Sequence, residues 1–129
     1  MIGDNINSII RRQFKILVID DDDAFRRSLC FKLKRKYRAH VEEASSGKAG
    51  IARLEEGHSY DIVFTDIMMP GMTGIDVYHA LRRIDADIRI VIMSAYSDSA
   101  EWANAQALED VALLHKPIPE DKLIELLSV

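Results

Sequence analysis

Three carboxylates, a hydroxyl and an amine in this 129-residue chain each close a short apolar run. Asp20 and Asp21 follow Lys15-Ile-Leu-Val-Ile19, and Asp66 follows Ile62-Val-Phe64-Thr65. Ser94 follows Ile88-Arg-Ile-Val-Ile-Met93, and Lys116 comes just after Val111-Ala-Leu-Leu114. A buried strand that ends on one polar side chain presents it at the rim of a sheet, where α/β proteins bind ligands. If the strands are parallel, all five groups meet on one edge. Carboxylates about 4 Å apart repel by about 4 kcal/mol at an effective dielectric near 20. They then hold their protons more tightly unless a cation sits among them. A hard divalent ion with oxygen ligands relieves this, and Mg²⁺ suits a small carboxylate set that leaves positions open for water and a phosphoryl group. Asp66 as nucleophile, Mg²⁺ as neutraliser, and Lys116 and Ser94 as partners of the phosphoryl oxygens make a phosphoryl-transfer site.

The elements that must hold these groups can be read from periodicity. Strands are expected over 15–19, 61–65, 88–93 and 111–114, with a weaker edge strand over 38–44. Between them lie helical patterns. Phe25, Leu29 and Leu33 recur at i, i+4 and i+8 behind a cap at Asp22 or Asp23. Ser45 or Ser46 starts a helix through Ile51 and Leu54 that Gly57 stops. Thr73 caps a third helix with Val77, Leu81 and Ile84 inward. Ala100, Ala103 and Ala107 mark the inward stripe of a fourth, leaving Trp102 one step off it and partly exposed; a short last helix runs from Glu120 to Leu127. Five strands alternating with five helices imply parallel βαβ units with right-handed crossovers. The expected fold is a doubly wound, flavodoxin-like (βα)5 sandwich with strand order 2-1-3-4-5. Its switch point lies between the first and third strands, where Asp20, Asp21 and Asp66 emerge. Residues 1–14 read as an N-terminal extension and 15–129 as one domain.

Hydrophobic residues make up 48% and charged residues 29%, as in an ordinary globular protein, and the net charge of -4 gives no general pull towards nucleic acid. The single cysteine, Cys30, excludes an intrachain disulfide and reads as a buried core thiol in a reducing compartment. No apolar run reaches the ~18 residues of a membrane span, and the first fourteen residues lack a continuous signal-peptide core, so a cytoplasmic location is expected. His40, His58, His79 and His115 show no metal-ligand spacing. Seven basic residues between Arg26 and Arg38 read either as a solvated helix face or as a docking surface for an acidic partner.

Ile16-Leu-Val-Ile-Asp20-Asp21, Asp66-Ile-Met-Met-Pro-Gly-Met-Thr-Gly74, Met93-Ser94-Ala95 and Lys116-Pro117, in this order and spacing, resemble the receiver domain of a two-component response regulator over residues 15–129. The resemblance implies that Asp66 accepts a phosphoryl group from a histidine kinase or a histidine phosphotransfer protein. It implies that Asp21 binds Mg²⁺ directly, Asp20 through water, and the Met68 backbone carbonyl as a further ligand. Ser94 would be the switch hydroxyl, Lys116 the partner of the phosphate, and the Lys116–Pro117 peptide cis. Such a domain is a phospho-acceptor that assists its own phosphorylation and dephosphorylation, not an enzyme with a separate substrate. Its output is a change in the face made by the fourth helix, the fifth strand and the last helix, which serves an output domain or a dimer partner. No direct contact with nucleic acid or membrane is implied.

Two departures stand out. Leu113 occupies the position on the fifth strand where receivers carry Tyr or Phe, and Trp102 is the candidate to take over part of that role. Met68 and Tyr96, two residues beyond Asp66 and Ser94, are bulky where the water that hydrolyses the acyl phosphate would approach, so slow autodephosphorylation is expected. Two other function classes remain in view. A degenerate receiver would act as a phosphorylation-independent interaction module. A phosphatase of the haloacid dehalogenase type needs Asp-x-Asp-x-Thr/Val, and Ala24 stands where that Thr or Val belongs.

Overall fold

A strand apolar at nearly every position is stable only where both faces of a sheet are covered. A computed structural model, which describes residues 13–96 and 98–128, places the strands in that setting. In chain order the elements are β1 (Lys15–Ile19), α1 (Asp23–Lys36), β2 (His40–Ala44), α2 (Gly47–Glu55), β3 (Ile62–Asp66), α3 (Gly74–Ile84), β4 (Arg89–Ser94), α4 (Ala100–Ala105), β5 (Val111–His115) and α5 (Glu120–Leu127). The sheet is parallel, in the order β2-β1-β3-β4-β5. This is the doubly wound arrangement that the alternation predicts.

Side chains alternate across the sheet and divide the core into two layers. Leu17, Ile19, Val63, Ile90 and Ile92 face the layer that holds Ile51, Leu54, Val77 and Leu81 from α2 and α3. Ile16, Val18, Ile62, Phe64 and Met93 face the layer that holds Leu29 and Leu33 of α1 and Leu123 and Leu127 of α5. Helix starts are fixed by side chains that accept from backbone N–H groups: Asp22 from Phe25, Ser46 from Ala49, Thr73 from Asp76 and Ser99 from Trp102. At α3 the Asp76 carboxylate also accepts from the Thr73 N–H, completing a capping box.

The structure departs from the expected pattern in four places. β2 begins at His40, because Arg38 adopts φ 56° in the left-handed region and breaks the extended run. Ile84 is 42% exposed; at the last position of α3 it has turned past the core-facing stripe. On α4 the buried side chains are Trp102 and Ala105, while Ala100 and Ala103, and Ala107 beyond the end of the helix, face solvent. The alanine stripe set the wrong phase: one indole removes far more apolar area from water than three methyls, so it chooses the inward face. The fourth difference concerns Phe14, which is buried and whose carbonyl accepts from His40 N at 2.8 Å, so it belongs to the core. Residues 1–12 of the expected N-terminal extension lie outside the described residues.

Candidate functional site

β1 and β3 are neighbours, and the chain leaves them in opposite directions across the sheet. The crevice above their C-terminal ends receives Asp20 from β1 and Asp66 from β3. Asp20 is fully buried and Asp66 is 8% exposed, whereas Asp21 is exposed. One carboxylate oxygen from each of Asp20, Asp21 and Asp66 lies within 4.8 Å of the others. Lys116 enters from the end of β5. Its Nζ lies 2.7 Å from Asp20 Oδ2 and 3.1 Å from Asp66 Oδ1. Lys116 N donates to the Ser94 carbonyl at 2.8 Å, and the Lys116–Pro117 peptide is cis.

The backbone around Asp66 is closely packed. Gly71 adopts φ 80°, which a glycine takes at no cost in this turn. Gly74 N donates to the Ile67 carbonyl at 2.8 Å. A Cβ at Gly74 would meet the Asp66 carbonyl oxygen at 2.6 Å, so α3 can start this close to β3 only without a side chain there.

Electrostatics follow from this burial. Desolvation pushes the Asp66 carboxyl up to about 6, with the charge of Asp20 adding to it and Lys116 opposing it. Burial pulls the Lys116 ammonium down, but its bond to Asp20 and the charges of Asp66 and Asp20 outweigh that and leave it above its ordinary value. One ammonium thus serves two carboxylates while a third stands beside them. The donor set is all oxygen and carries excess negative charge, which fits a hard divalent cation such as Mg²⁺.

Ser94 is buried at the end of β4, but its hydroxyl is turned to the following loop. It donates to the Tyr96 carbonyl and accepts from Tyr96 N at 3.0 Å. Met68 and Tyr96 stand at the rim, 47% and 73% exposed. Two residues that the sequence did not assign to the site complete the setting. The Lys116 ammonium sits over the Phe25 ring, 4.3 Å from its centroid. Buried Arg26 donates to the Asp20 carbonyl at 2.7 Å and pairs with Asp23 at 2.8 Å and Glu43 at 2.9 Å. Arg26 therefore fixes the acidic loop and is no part of an exposed basic face. Lys32 and Lys36 likewise turn towards Glu120 of α5. Within that basic run, a sequence signal for Arg26 existed only in its i,i+3 spacing from Asp23.

The sequence profile described as the response regulator receiver domain matches residues 16–128, nearly the whole chain. The chain belongs to the response regulator receiver family. Among relatives, this receiver is 32% identical to the response regulator receiver protein CpdR of Brucella abortus over 103 residues, covering 80% of this chain and 84% of that protein. It is 30% identical to the chemotaxis protein CheY of Bacillus subtilis over 114 residues, covering 88% and 94%. Other matches are pieces of longer proteins: 35% identity to the sensor kinase CckA of Brucella abortus spans only 11% of that kinase. A crystal structure of a receiver domain protein from Clostridium thermocellum superimposes with a TM-score of 0.78 at 28% identity, over 88% of this chain and 90% of the other. Among the described residues, no helix is long and apolar enough to cross a membrane.

Proposed function

We propose that the receiver unit, residues 15–129, takes a phosphoryl group on Asp66 from the phosphohistidine of a histidine kinase or phosphotransfer protein. The observation that carries this reading is the meeting of Asp20, Asp21, Asp66 and Lys116 at the switch point of the sheet. A carboxylate oxygen of Asp66 attacks phosphorus, a P–O bond forms, the P–N bond to the imidazole breaks, and the imidazole leaves with the bonding pair. Asp21, Asp66 and the Met68 carbonyl would hold Mg²⁺, with Asp20 joined through water. When bound, that ion offsets the negative charge gathered at the transferring group. Lys116 keeps its place at Asp66 and pairs with a phosphoryl oxygen. Ser94 exchanges the Tyr96 carbonyl for a phosphoryl oxygen, which draws β4 and its loop inward and shifts the balance between two conformers of the face formed by α4, β5 and α5. That face then serves an output domain or a dimer partner. The protein acts in the cytoplasm, on neither nucleic acid nor membrane directly.

A docking place for the phosphoryl donor adjoins the site. A groove of about 120 Å³ lined by Phe25, Ser28, Lys32, Pro117 and Ile118 runs beside the aromatic ring under Lys116. Phe31, 63% exposed on the same helix, adds an apolar anchor beside Arg35, whose guanidinium lies 5.5 Å from the ring centroid. An apolar partner helix with acidic flanks fits this surface. Bulky Met68 and Tyr96 at the rim hinder the hydrolytic water, so the phospho-form is long-lived. Leu113 favours a second reading, a phosphorylation-independent interaction module, because the aromatic side chain expected on β5 is missing.

The test is incubation with a small-molecule acyl phosphate, with Mg²⁺ or with a chelator, followed by removal of the donor. A stable phosphoryl adduct that needs Mg²⁺ and persists well beyond seconds is expected. An absent adduct in both conditions supports the second reading, and loss within seconds refutes the hindrance by Met68 and Tyr96.

A further inference from the structure

Trp102, the sole tryptophan of the chain, and Ala105 are the buried side chains of the six-residue helix α4. So short a helix has little stability of its own and is held where its buried ring is held. That ring packs on His115, with centroids 4.9 Å apart and planes tilted by 36°. His115 is an exposed residue at the end of β5, but its place is singular. It pairs in register with Ser94 across the β4–β5 ladder and immediately precedes Lys116. Lys116 N in turn donates to the Ser94 carbonyl, and its ammonium bridges Asp20 and Asp66. The ring that clamps α4 therefore stands at the strand position level with Ser94 and one residue before Lys116.

Among the described residues, the chain and the sheet each offer a connection from the site to α4. One is the loop after β4, in which Ala95 and Tyr96 are exposed. The other is the His115–Trp102 stack, a close-packed contact that cannot stretch and must repack when its base moves. Leu113 lies in register with Ile92 and packs, partly buried, against the core cluster that contains Trp102. It carries no ring with which to make such a stack itself.

We propose that the His115–Trp102 stack is the mechanical link that carries a change at Asp66, Ser94 and Lys116 to helix α4. The trigger rests on the phospho-acceptor reading given above; the link itself rests on the stack and the strand register. An aromatic pair of this kind shifts a two-state balance by about two- to ten-fold, enough to set how far α4 responds. His115 acts as a positioning residue here and makes no contact with the transferred group.

The test uses the emission of Trp102 in the whole chain, with intact mass measured on the same samples. The proteins are wild type, His115→Ala and His115→Phe, each before and after incubation with acyl phosphate and Mg²⁺. All three are expected to gain one phosphoryl group. The emission of Trp102 should change in wild type and His115→Phe, which keeps a ring, and the change should fall at least about three-fold in His115→Ala. A full emission response in His115→Ala, or a phosphorylated wild type with unchanged emission, overturns the link. A wild type that gains no mass overturns the phospho-acceptor reading instead, and the mass spectrum separates the two failures.

Discussion

Lys116 Nζ lies 3.1 Å from Asp66 Oδ1 and belongs at the same time to Asp20, 2.7 Å away. The Lys116 side chain is 12% exposed, so its charge is poorly screened and both carboxylates depend on it. Removing one partner of a buried ion pair typically costs about 3–5 kcal/mol. Lys116→Met should therefore lower the unfolding free energy by about 3 kcal/mol at pH 8 in chelator. The loss should shrink at pH 5, where Asp66 takes up a proton. Urea denaturation at the two pH values checks this, and an equal loss at both contradicts it.

Asp66 gives a second pH dependence. Burial raises its carboxyl from the ordinary 3.8 to about 6, so the folded state binds the proton more tightly than the unfolded one. The stability linked to this group is fully present below about pH 4 and is lost as pH rises through about 6. Asp66→Asn cannot titrate. In chelator it should be more stable than wild type at pH 8 by on the order of 2 kcal/mol, and the gap should close near pH 4. Mg²⁺ should narrow it at pH 8 by binding only the wild type strongly. A variant that is less stable than wild type at pH 8 contradicts the argument.

Gly74 tests the seating of α3 on β3. A methyl group there would face the Asp66 carbonyl oxygen at 2.6 Å and Ile67 Cα at 2.9 Å, both backbone atoms that cannot rotate away. Gly74→Ala should cost about 1–3 kcal/mol and displace Asp66. Thermal unfolding together with the rate of phosphoryl uptake reads both effects. Unchanged values in both show that the close approach is not needed.

Cys30 lies in the core between α1 and the sheet, and burial pushes its thiol up to about 12. Native protein at pH 8 should resist thiol reagents, whereas denatured protein should react at once. Rapid native labelling would show that α1 opens readily.

The sheet and the meeting of these side chains at its rim were legible for one reason. Strands buried on both faces leave continuous apolar runs, and the residue that ends each run is the residue at the rim. Asp20, Asp66 and Ser94 follow from that rule alone, and Lys116 lies one residue past it, after His115. The helices were harder, because each buries only a stripe. On α4 three alanines imitated the stripe, yet alanine is indifferent to burial, and Trp102 set the phase. Arg26 was hidden among six other basic residues. Its burial depends on Glu43 and on the Asp20 carbonyl, which only the fold brings near. Phe25 was read as core, and its contact with Lys116 joins α1 to the residue after β5, which only the fold brings near.

The most direct measurement of the central claim is peptide-level mass spectrometry after incubation with acyl phosphate and Mg²⁺, on wild type and on Asp66→Ala. One phosphoryl group is expected in wild type, carried on the peptide that contains Asp66, and none in the variant. A phosphoryl group on another residue, an undiminished adduct in Asp66→Ala, or no adduct in wild type contradicts it.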